Sequence, residues 1–392
     1  MQKNLIGNIA PQKLIERFGS PLYAYDAEVI RARCRELKKA FPGVRMYYAC
    51  KANTNVEIIR LIAVEGLDIE TTSPGEIAAA RKAGVPVSRI AYTCASIGEK
   101  ELVSVVRQGV LVHLDSLTQV EIFGRNFPGR DISVRLARGV GAGHHAHVVT
   151  GGPESKFGIH LAHLHRLKAI TAKYNLRITG IHQHIGSGGL FEVSTVMEAM
   201  DTFLDIAMQF PDLEHIDFGG GFGVPYMPGE KRLDLAALGH ALAKRAEKFA
   251  RQYGRKVEMS FEPGRYLVAE AGNLVLSVTD IKRNPQKTFV GVDSGMGHLV
   301  RPAMYDSYHE IVNATHPNNR KQKVTIAGYY CESGDVLAKN RPLPMPEIGD
   351  ILVIKNAGAY GYTMSSNYNL RERPAEVLVE KGKGRLIRKR GA

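Results

Sequence analysis

Between Val44 and Pro263 the chain alternates short apolar runs with stretches of helical periodicity. The apolar runs occupy 44–50, 67–71, 89–93, 111–115, 131–136, 178–184, 214–218 and 257–261. Each has the length and bounds of a strand. The stretches between them are amphipathic, as in Val56-Glu57-Ile58-Ile59-Arg60-Leu61-Ile62 and from Leu235 to Tyr253. Eight strand–helix units over this length predict an α/β fold, a (β/α)8 TIM-type barrel. An open, doubly wound sheet shows the same alternation, and the count of eight speaks against it.

Beyond residue 272 the pattern changes. Short alternating segments follow one another: Leu274-Val275-Leu276-Ser277-Val278, Thr288-Phe289-Val290-Gly291-Val292, Lys323-Val324-Thr325-Ile326-Ala327, Ile351-Leu352-Val353-Ile354 and Ala375-Glu376-Val377-Leu378-Val379. Prolines and glycines punctuate them, which predicts a mostly β C-terminal domain, a β-barrel or sandwich. Near the N-terminus, Leu22-Tyr23-Ala24-Tyr25 is a candidate strand for that same domain. The expected organisation is a barrel over 31–271, with 1–30 and 272–392 forming the β-rich domain.

Composition narrows the class. Of 392 residues, 44% are hydrophobic, enough for a buried core and too few for a membrane protein. No run reaches the ~18 apolar residues of a membrane helix. Met1-Gln2-Lys3-Asn4-Leu5 lacks the apolar stretch of a secretory signal. Cys34, Cys50, Cys94 and Cys331 are widely and irregularly spaced, so neither a disulfide framework nor a zinc site is expected, and a reduced cytoplasm fits. The net charge of +13 includes a basic tail of Lys381, Lys383, Arg385, Arg388, Lys389 and Arg390. A solvated, frayed terminus is the expectation for it. No nucleic-acid-binding motif accompanies the tail.

The barrel makes a statement about chemistry, because active sites of such barrels lie at the C-terminal ends of the strands. Lys51 follows the first strand, Glu70 ends the second, His184 ends the sixth, Gly219-Gly220-Gly221 follows the seventh, and Glu262 and Arg265 follow the eighth. A lysine at a barrel mouth suits Schiff-base chemistry. Three glycines let backbone N–H groups approach an anion such as a phosphate, although a plain turn needs glycine too. His182 and His184 share a strand face and are a conceivable metal pair, but no matching carboxylate–histidine set completes a site, so no metal is expected. A histidine ring packed on a flat cofactor fits His184 better. Glu262 either caps a turn or faces a pyridine nitrogen and keeps it protonated. Together these are the parts of a pyridoxal 5′-phosphate site.

These residues, with Tyr48-Ala49-Cys50-Lys51-Ala52-Asn53, Ser155-Lys156-Phe157-Gly158, His184-Ile185-Gly186-Ser187, Asp217-Phe218-Gly219-Gly220-Gly221 and Glu262-Pro263-Gly264-Arg265, resemble the fold-type III pyridoxal-phosphate decarboxylases. The resemblance continues through Arg301-Pro302-Ala303-Met304-Tyr305, Cys331-Glu332-Ser333-Gly334-Asp335, Gly358-Ala359-Tyr360-Gly361-Tyr362 and Met364-Ser365-Ser366-Asn367-Tyr368-Asn369, nearly end to end. It implies an alanine-racemase-like barrel and, most closely, the branch that converts meso-diaminopimelate to L-lysine and carbon dioxide, the last step of lysine biosynthesis. It implies that Lys51 carries the cofactor and that His184 stacks on its ring. Ser187, Gly219, Gly220, Gly221, Gly264, Arg265 and Tyr368 would surround the cofactor, chiefly its phosphate, and Glu262 would pair with the ring nitrogen. Cys331, from the partner subunit, would act as general acid. Arg265, Arg301, Tyr305, Glu332 and Tyr368 would bind the amino-acid substrate. The family resemblance also implies a head-to-tail homodimer with shared active sites.

A distal amino-acid head needs a cation for its carboxylate and an acid for its amine, and Arg301 with Glu332 meets both needs. The same two residues would serve equally as a structural ion pair. Three places depart from the family pattern: Glu70 where aspartate is usual, Thr93-Cys94-Ala95-Ser96-Ile97-Gly98, and Gly297-His298. They leave open the same chemistry on another carboxylated or basic amine, in a siderophore pathway or on ornithine or arginine. A racemase would need a second base facing Lys51. A non-catalytic cofactor-binding homologue would not need both Lys51 and Cys331. In isolation Cys331 would read as a buried structural cysteine.

Overall fold

The computed structural model describes residues 5–137, 155–184, 186 and 190–391. The chain divides into two compact units, one of residues 33–224 and 231–266, the other of 1–32, 225–230 and 267–392. Strand β1 (Leu22–Asp26) belongs to the second of these.

The first unit holds β2 (Arg45–Ala49), β3 (Asp68–Thr71), β4 (Ile90–Thr93), β5 (Leu111–Leu114), β6 (Asp131–Ala137), β7 (Ile159–His160), β8 (Arg177–His182), β9 (His215–Asp217) and β10 (Glu258–Phe261). All pair in parallel. β10 returns to β2 and β5 joins β6, so the sheet closes on itself, with β7 as a short addition beside β6. Every one of the eight expected apolar runs forms a barrel strand, and the (β/α)8 reading stands.

Polar caps start the intervening helices. The side chains of Asn55, Ser73, Ser116 and Asp234 accept backbone N–H groups of the first turns of Val56–Val64, Pro74–Lys82, Leu117–Asn126 and Leu235–Tyr253. Each satisfies a donor that a helix leaves open at its start. At the far end of β9 and β10, Phe41, Phe218, Phe222 and Phe261 form a packed aromatic cluster with centroids 5.2–6.0 Å apart. That cluster anchors the residues on either side of the glycine turn.

In the second unit, β11 (Gly272–Arg283) is the long central strand. With β12 (Thr288–Val292), β13 (Ile311–Asn313), β14 (Lys321–Ala327), β15 (Val336–Pro344), β16 (Ile351–Ile354), β17 (Ala375–Glu380) and β18 (Lys383–Arg388) it builds a mixed sheet in the order β15-β14-β12-β11-β1-β17-β18. β16 also pairs with β11, and β13 pairs with β16. As expected, Leu22–Asp26 enters this sheet, antiparallel to β11 and parallel to β17. Its core joins Ile6, Leu14, Leu22, Ala24, Val275, Val353, Val377 and Val379.

The basic tail corrects the expectation of a frayed terminus. Lys383–Arg388 is a strand paired antiparallel with β17. Arg388 Nε lies 2.5 Å from Glu376 Oε2, and Tyr25 Oη donates to Glu376 Oε1 at 2.6 Å. A fully buried carboxylate thus ties the tail down. Among the described residues no helix is long and apolar enough to cross a membrane.

Candidate active site

Lys51 sits in a 3-10 turn, Cys50–Ala52, directly after β2. Two contacts shape that turn. Tyr48 Oη donates to the Asn53 carbonyl at 2.9 Å, and Gly264 packs so closely that an added Cβ would lie 2.9 Å from the Ala49 carbonyl oxygen. Gly264 therefore allows the turn after β10 to lie against the lysine turn. Lys51 Nζ lies 2.6 Å from Glu70 Oε2. The lysine is 37% exposed while the Glu70 carboxylate is 1% exposed, so the amine reaches from a buried acid toward open space. Burial pushes the Glu70 carboxyl up to about 7, against the pull of Lys51 and with a further push from Glu262.

Glu262, at the end of β10, is buried, and its Oε2 lies 3.0 Å from His182 Nε2 at the end of β8. Its Oε1 is buried with no hydrogen-bond partner among the described residues. Burial raises the Glu262 carboxyl, while Lys51 and Arg135 lower it. Burial holds the His182 and His184 rings well below the usual histidine range, assisted by Arg135 and Lys51, so both are neutral near pH 7. Asp217, at the end of β9, accepts the Gly219 N–H at 2.7 Å and the Ser260 hydroxyl at 2.5 Å.

The glycine turn is required by its surroundings. Gly219 has φ +69°, and an added Cβ would meet the Gln183 carbonyl oxygen at 2.4 Å. At Gly220 a Cβ would lie 2.3 Å from the Glu262 carbonyl oxygen, and at Gly221, φ +113°, 2.4 Å from that of Gly186. The Gly220 N–H donates to His184 Nδ1 at 3.1 Å. His184 therefore carries its proton on Nε2. A phosphate bond from Gly220 requires this bond to open. Ser187 lies outside the described residues. Arg265 is largely buried and begins the short helix Arg265–Val268.

Two buried polar residues were not anticipated. His113, on β5, stacks on His182 at 4.8 Å and 27°, with its Nδ1 2.6 Å from Ser133 Oγ. Arg135, on β6, lies 3.4 Å from Asp115 Oδ1 and places its guanidinium 4.7 Å from the Phe157 ring centroid. The signal was present: a histidine and an arginine inside apolar runs are out of place unless they face a site.

The second unit gathers the other candidates. Asp335 accepts backbone N–H groups of Met296 at 2.5 Å and Tyr330 at 2.8 Å. That anchors Cys331-Glu332-Ser333-Gly334-Asp335 and leaves Cys331 and Glu332 exposed. The Cys331 N–H donates to Asn369 Oδ1 at 2.9 Å, and the Tyr368 ring stacks on Tyr330 at 5.9 Å. Cys331 is thus an exposed thiol, not a buried structural cysteine. Arg301 is buried, 2.9 Å from His309 Nε2 and 4.6 Å above the Tyr226 ring. It thus contacts His309 and Tyr226, with Ser307 Oγ at 3.4 Å. Tyr305 is half-buried at the end of helix Arg301–Tyr305. Of the departures, His298 is fully buried, between Ser294 and the Glu372 carbonyl, and Thr93 Oγ1 is buried without a partner among the described residues.

The barrel end fits pyridoxal phosphate. It offers a partly exposed amine, a turn too tight for any Cβ, and a buried carboxylate oxygen without a hydrogen bond. His113, Asp217 and Glu262 bring three potential metal-ligand atoms within 4.8 Å of one another. Asp217 is already committed to Gly219 and Ser260, and Glu262 to His182, which suits an organic ring better than an ion.

The comparisons with known proteins agree. A family model for the pyridoxal-dependent decarboxylase, pyridoxal binding domain, matches residues 27–269. The chain is 41% identical to the diaminopimelate decarboxylase of Methanothermobacter thermautotrophicus, over 98% of this chain and 92% of that protein. A crystal structure of diaminopimelate decarboxylase is similar with a TM-score of 0.92 at 34% identity, covering 99% of this chain and 96% of that one. The Helicobacter pylori diaminopimelate decarboxylase complexed with L-lysine gives 0.88 at 31% identity, covering 97% and 96%.

Proposed function

The chain belongs to the pyridoxal-dependent decarboxylases, and from that premise we propose that it converts meso-diaminopimelate to L-lysine and carbon dioxide. The observations that carry the chemistry are the Lys51 amine, paired with Glu70 at the barrel mouth, and the buried Glu262 carboxylate, whose Oε1 accepts no hydrogen bond from the described residues. The substrate rests on the 41% identity to a diaminopimelate decarboxylase.

When bound, pyridoxal phosphate supplies an electron sink for the bond to the departing carboxylate. The chain's own residues do the rest. Lys51 holds the cofactor aldehyde, and Glu70, 2.6 Å away, is placed to take a proton from its Nζ. Glu262 would keep a proton on the ring nitrogen. His184 would cover the ring, and the 219–221 turn, Gly264 and Tyr368, with Ser187, would hold the cofactor, chiefly its phosphate. Cys331 of the partner subunit delivers the proton to the substrate Cα after carbon dioxide leaves. Arg301 takes the distal carboxylate and Glu332 the distal amine, with Arg265 and Tyr305 beside the substrate. The working form is a head-to-tail homodimer in the cytoplasm. Exposure of Cys331 and Glu332, and a chain of free thiols, support this.

The test is product identification. The pyridoxal-phosphate-loaded protein, given meso-diaminopimelate, is expected to form L-lysine and carbon dioxide in equal amounts. Consumption without lysine, or no consumption, would overturn the assignment.

A further inference from the structure

The buried contact between His182 and Glu262 has a direction that the surrounding atoms decide. His182 is 1% exposed, its Nε2 lies 3.0 Å from Glu262 Oε2, and its Nδ1 is buried with no partner among the described residues. A neutral imidazole carries one proton. Were Glu262 protonated and donating to Nε2, the ring proton would sit on Nδ1, buried with nothing to accept it. A stranded N–H donor is the costlier arrangement. The proton therefore belongs on Nε2, and His182 donates to an ionised Glu262. The His113 ring, 4.8 Å away at 27° and tethered by Nδ1 to Ser133 Oγ at 2.6 Å, backs the His182 ring and limits its rotation.

We propose that His182 is a positioning residue for the cofactor: its Nε2–H holds Glu262 Oε2 so that the ionised Oε1 faces the pyridine nitrogen. This rests on the assignment of Glu262 to that nitrogen. Glu262 has two oxygens and one is already engaged, which is why the other stands buried without a hydrogen bond. Without the donor, Glu262 is a buried carboxylate with less to keep it charged, and a protonated Glu262 cannot hold a proton on the ring.

The experiment is a double-substitution cycle read by kcat, by cofactor affinity and by the visible spectrum of the loaded protein. Glu262→Gln sets the reference, with kcat expected to fall about a hundredfold or more, the range of a lost electrostatic partner in an active site. His182→Phe, which keeps a ring but no donor, is expected to shift the visible band in the same direction and to lower kcat at least tenfold. The combined variant is expected to be no worse than Glu262→Gln alone, as for two residues acting as one unit. His182→Gln, whose amide N–H reaches toward Glu262, is expected to recover part of the loss. Should His182→Phe not fold, His182→Asn, polar but too short to reach, takes its place. A wild-type spectrum and kcat in the donorless variant, or losses that multiply in the combination, would overturn the role of His182. Normal turnover in Glu262→Gln would instead overturn the Glu262 assignment on which it rests.

Discussion

Replacing Gly219 by alanine tests the glycine turn, and its cost follows from the backbone geometry there. The backbone there has φ +69°, in the left-handed region, where a Cβ costs about 1 kcal/mol. The new Cβ would also lie 2.4 Å from the Gln183 carbonyl oxygen and 3.0 Å from His184 Cα. Both are backbone atoms and cannot swing away, so overpacking adds about 1–3 kcal/mol. The sum, about 2–4 kcal/mol, corresponds to a fall in Tm of roughly 4–16 °C. Gly254→Ala is the control. It has φ +85° and nothing within 4 Å, so it carries the conformational cost alone. Thermal unfolding of the cofactor-free proteins, followed by circular dichroism, is expected to rank wild type, Gly254→Ala and Gly219→Ala in that order. Fluorescence titration with pyridoxal phosphate is expected to show at least a tenfold loss of affinity for Gly219→Ala only, about 1.4 kcal/mol. Equal Tm values for the two variants with unchanged affinity would refute both the packing argument and the phosphate assignment.

Four further outcomes are expected. Lys51→Ala should lose the visible absorbance of the lysine-bound cofactor while keeping its far-ultraviolet circular dichroism; a persisting band would show that another amine holds the aldehyde. Cys331→Ala should keep that band and lose most turnover, and mixing it with Lys51→Ala should restore about a quarter of wild-type activity if sites are shared across a symmetric dimer; no restoration would point to sites built within one chain. Arg388→Ala leaves the fully buried Glu376 without its arginine, and because Arg388 is 29% exposed the loss should be about 2–3 kcal/mol in urea unfolding. Glu70 has its folded value pushed up to about 7 from the ordinary 4.5, so the folded protein binds more protons across that window and cofactor-free stability falls as pH rises through it. Glu70→Gln should flatten that fall between about pH 4.5 and 7; an unchanged slope would show that Glu70 does not titrate there.

The barrel was legible because its strands are short, apolar and separated by capped helices. Lys51, His184, the 219–221 turn and Glu262 were legible because the barrel places strand ends together. Where reading failed, the reason is local. Val336–Pro344 carries Pro342 and Pro344, which argue against a strand, yet as β15 it is an edge, where proline is tolerated. Lys383–Arg388 looked like a charged tail because its partner, β17, and the buried Glu376 that holds Arg388 only come together in space. His113 and Arg135 each stood alone inside an apolar run. Their meaning lies in neighbours twenty or more positions away, His182 for one and Asp115 for the other. The Cys331 loop owes its exposure to Asp335, whose carboxylate binds the backbone at Met296 and Tyr330, a contact no motif records.

The most direct measurement is the initial rate of carbon dioxide release by the loaded wild-type protein from meso-diaminopimelate, ornithine, arginine and lysine, each offered alone. Release from meso-diaminopimelate with kcat/KM at least a hundredfold above the other three is expected, since only that substrate offers a distal amino-acid head to Arg301 and Glu332. Equal or faster release from ornithine or arginine, or no release from any of the four by protein whose cofactor band is intact, would contradict it.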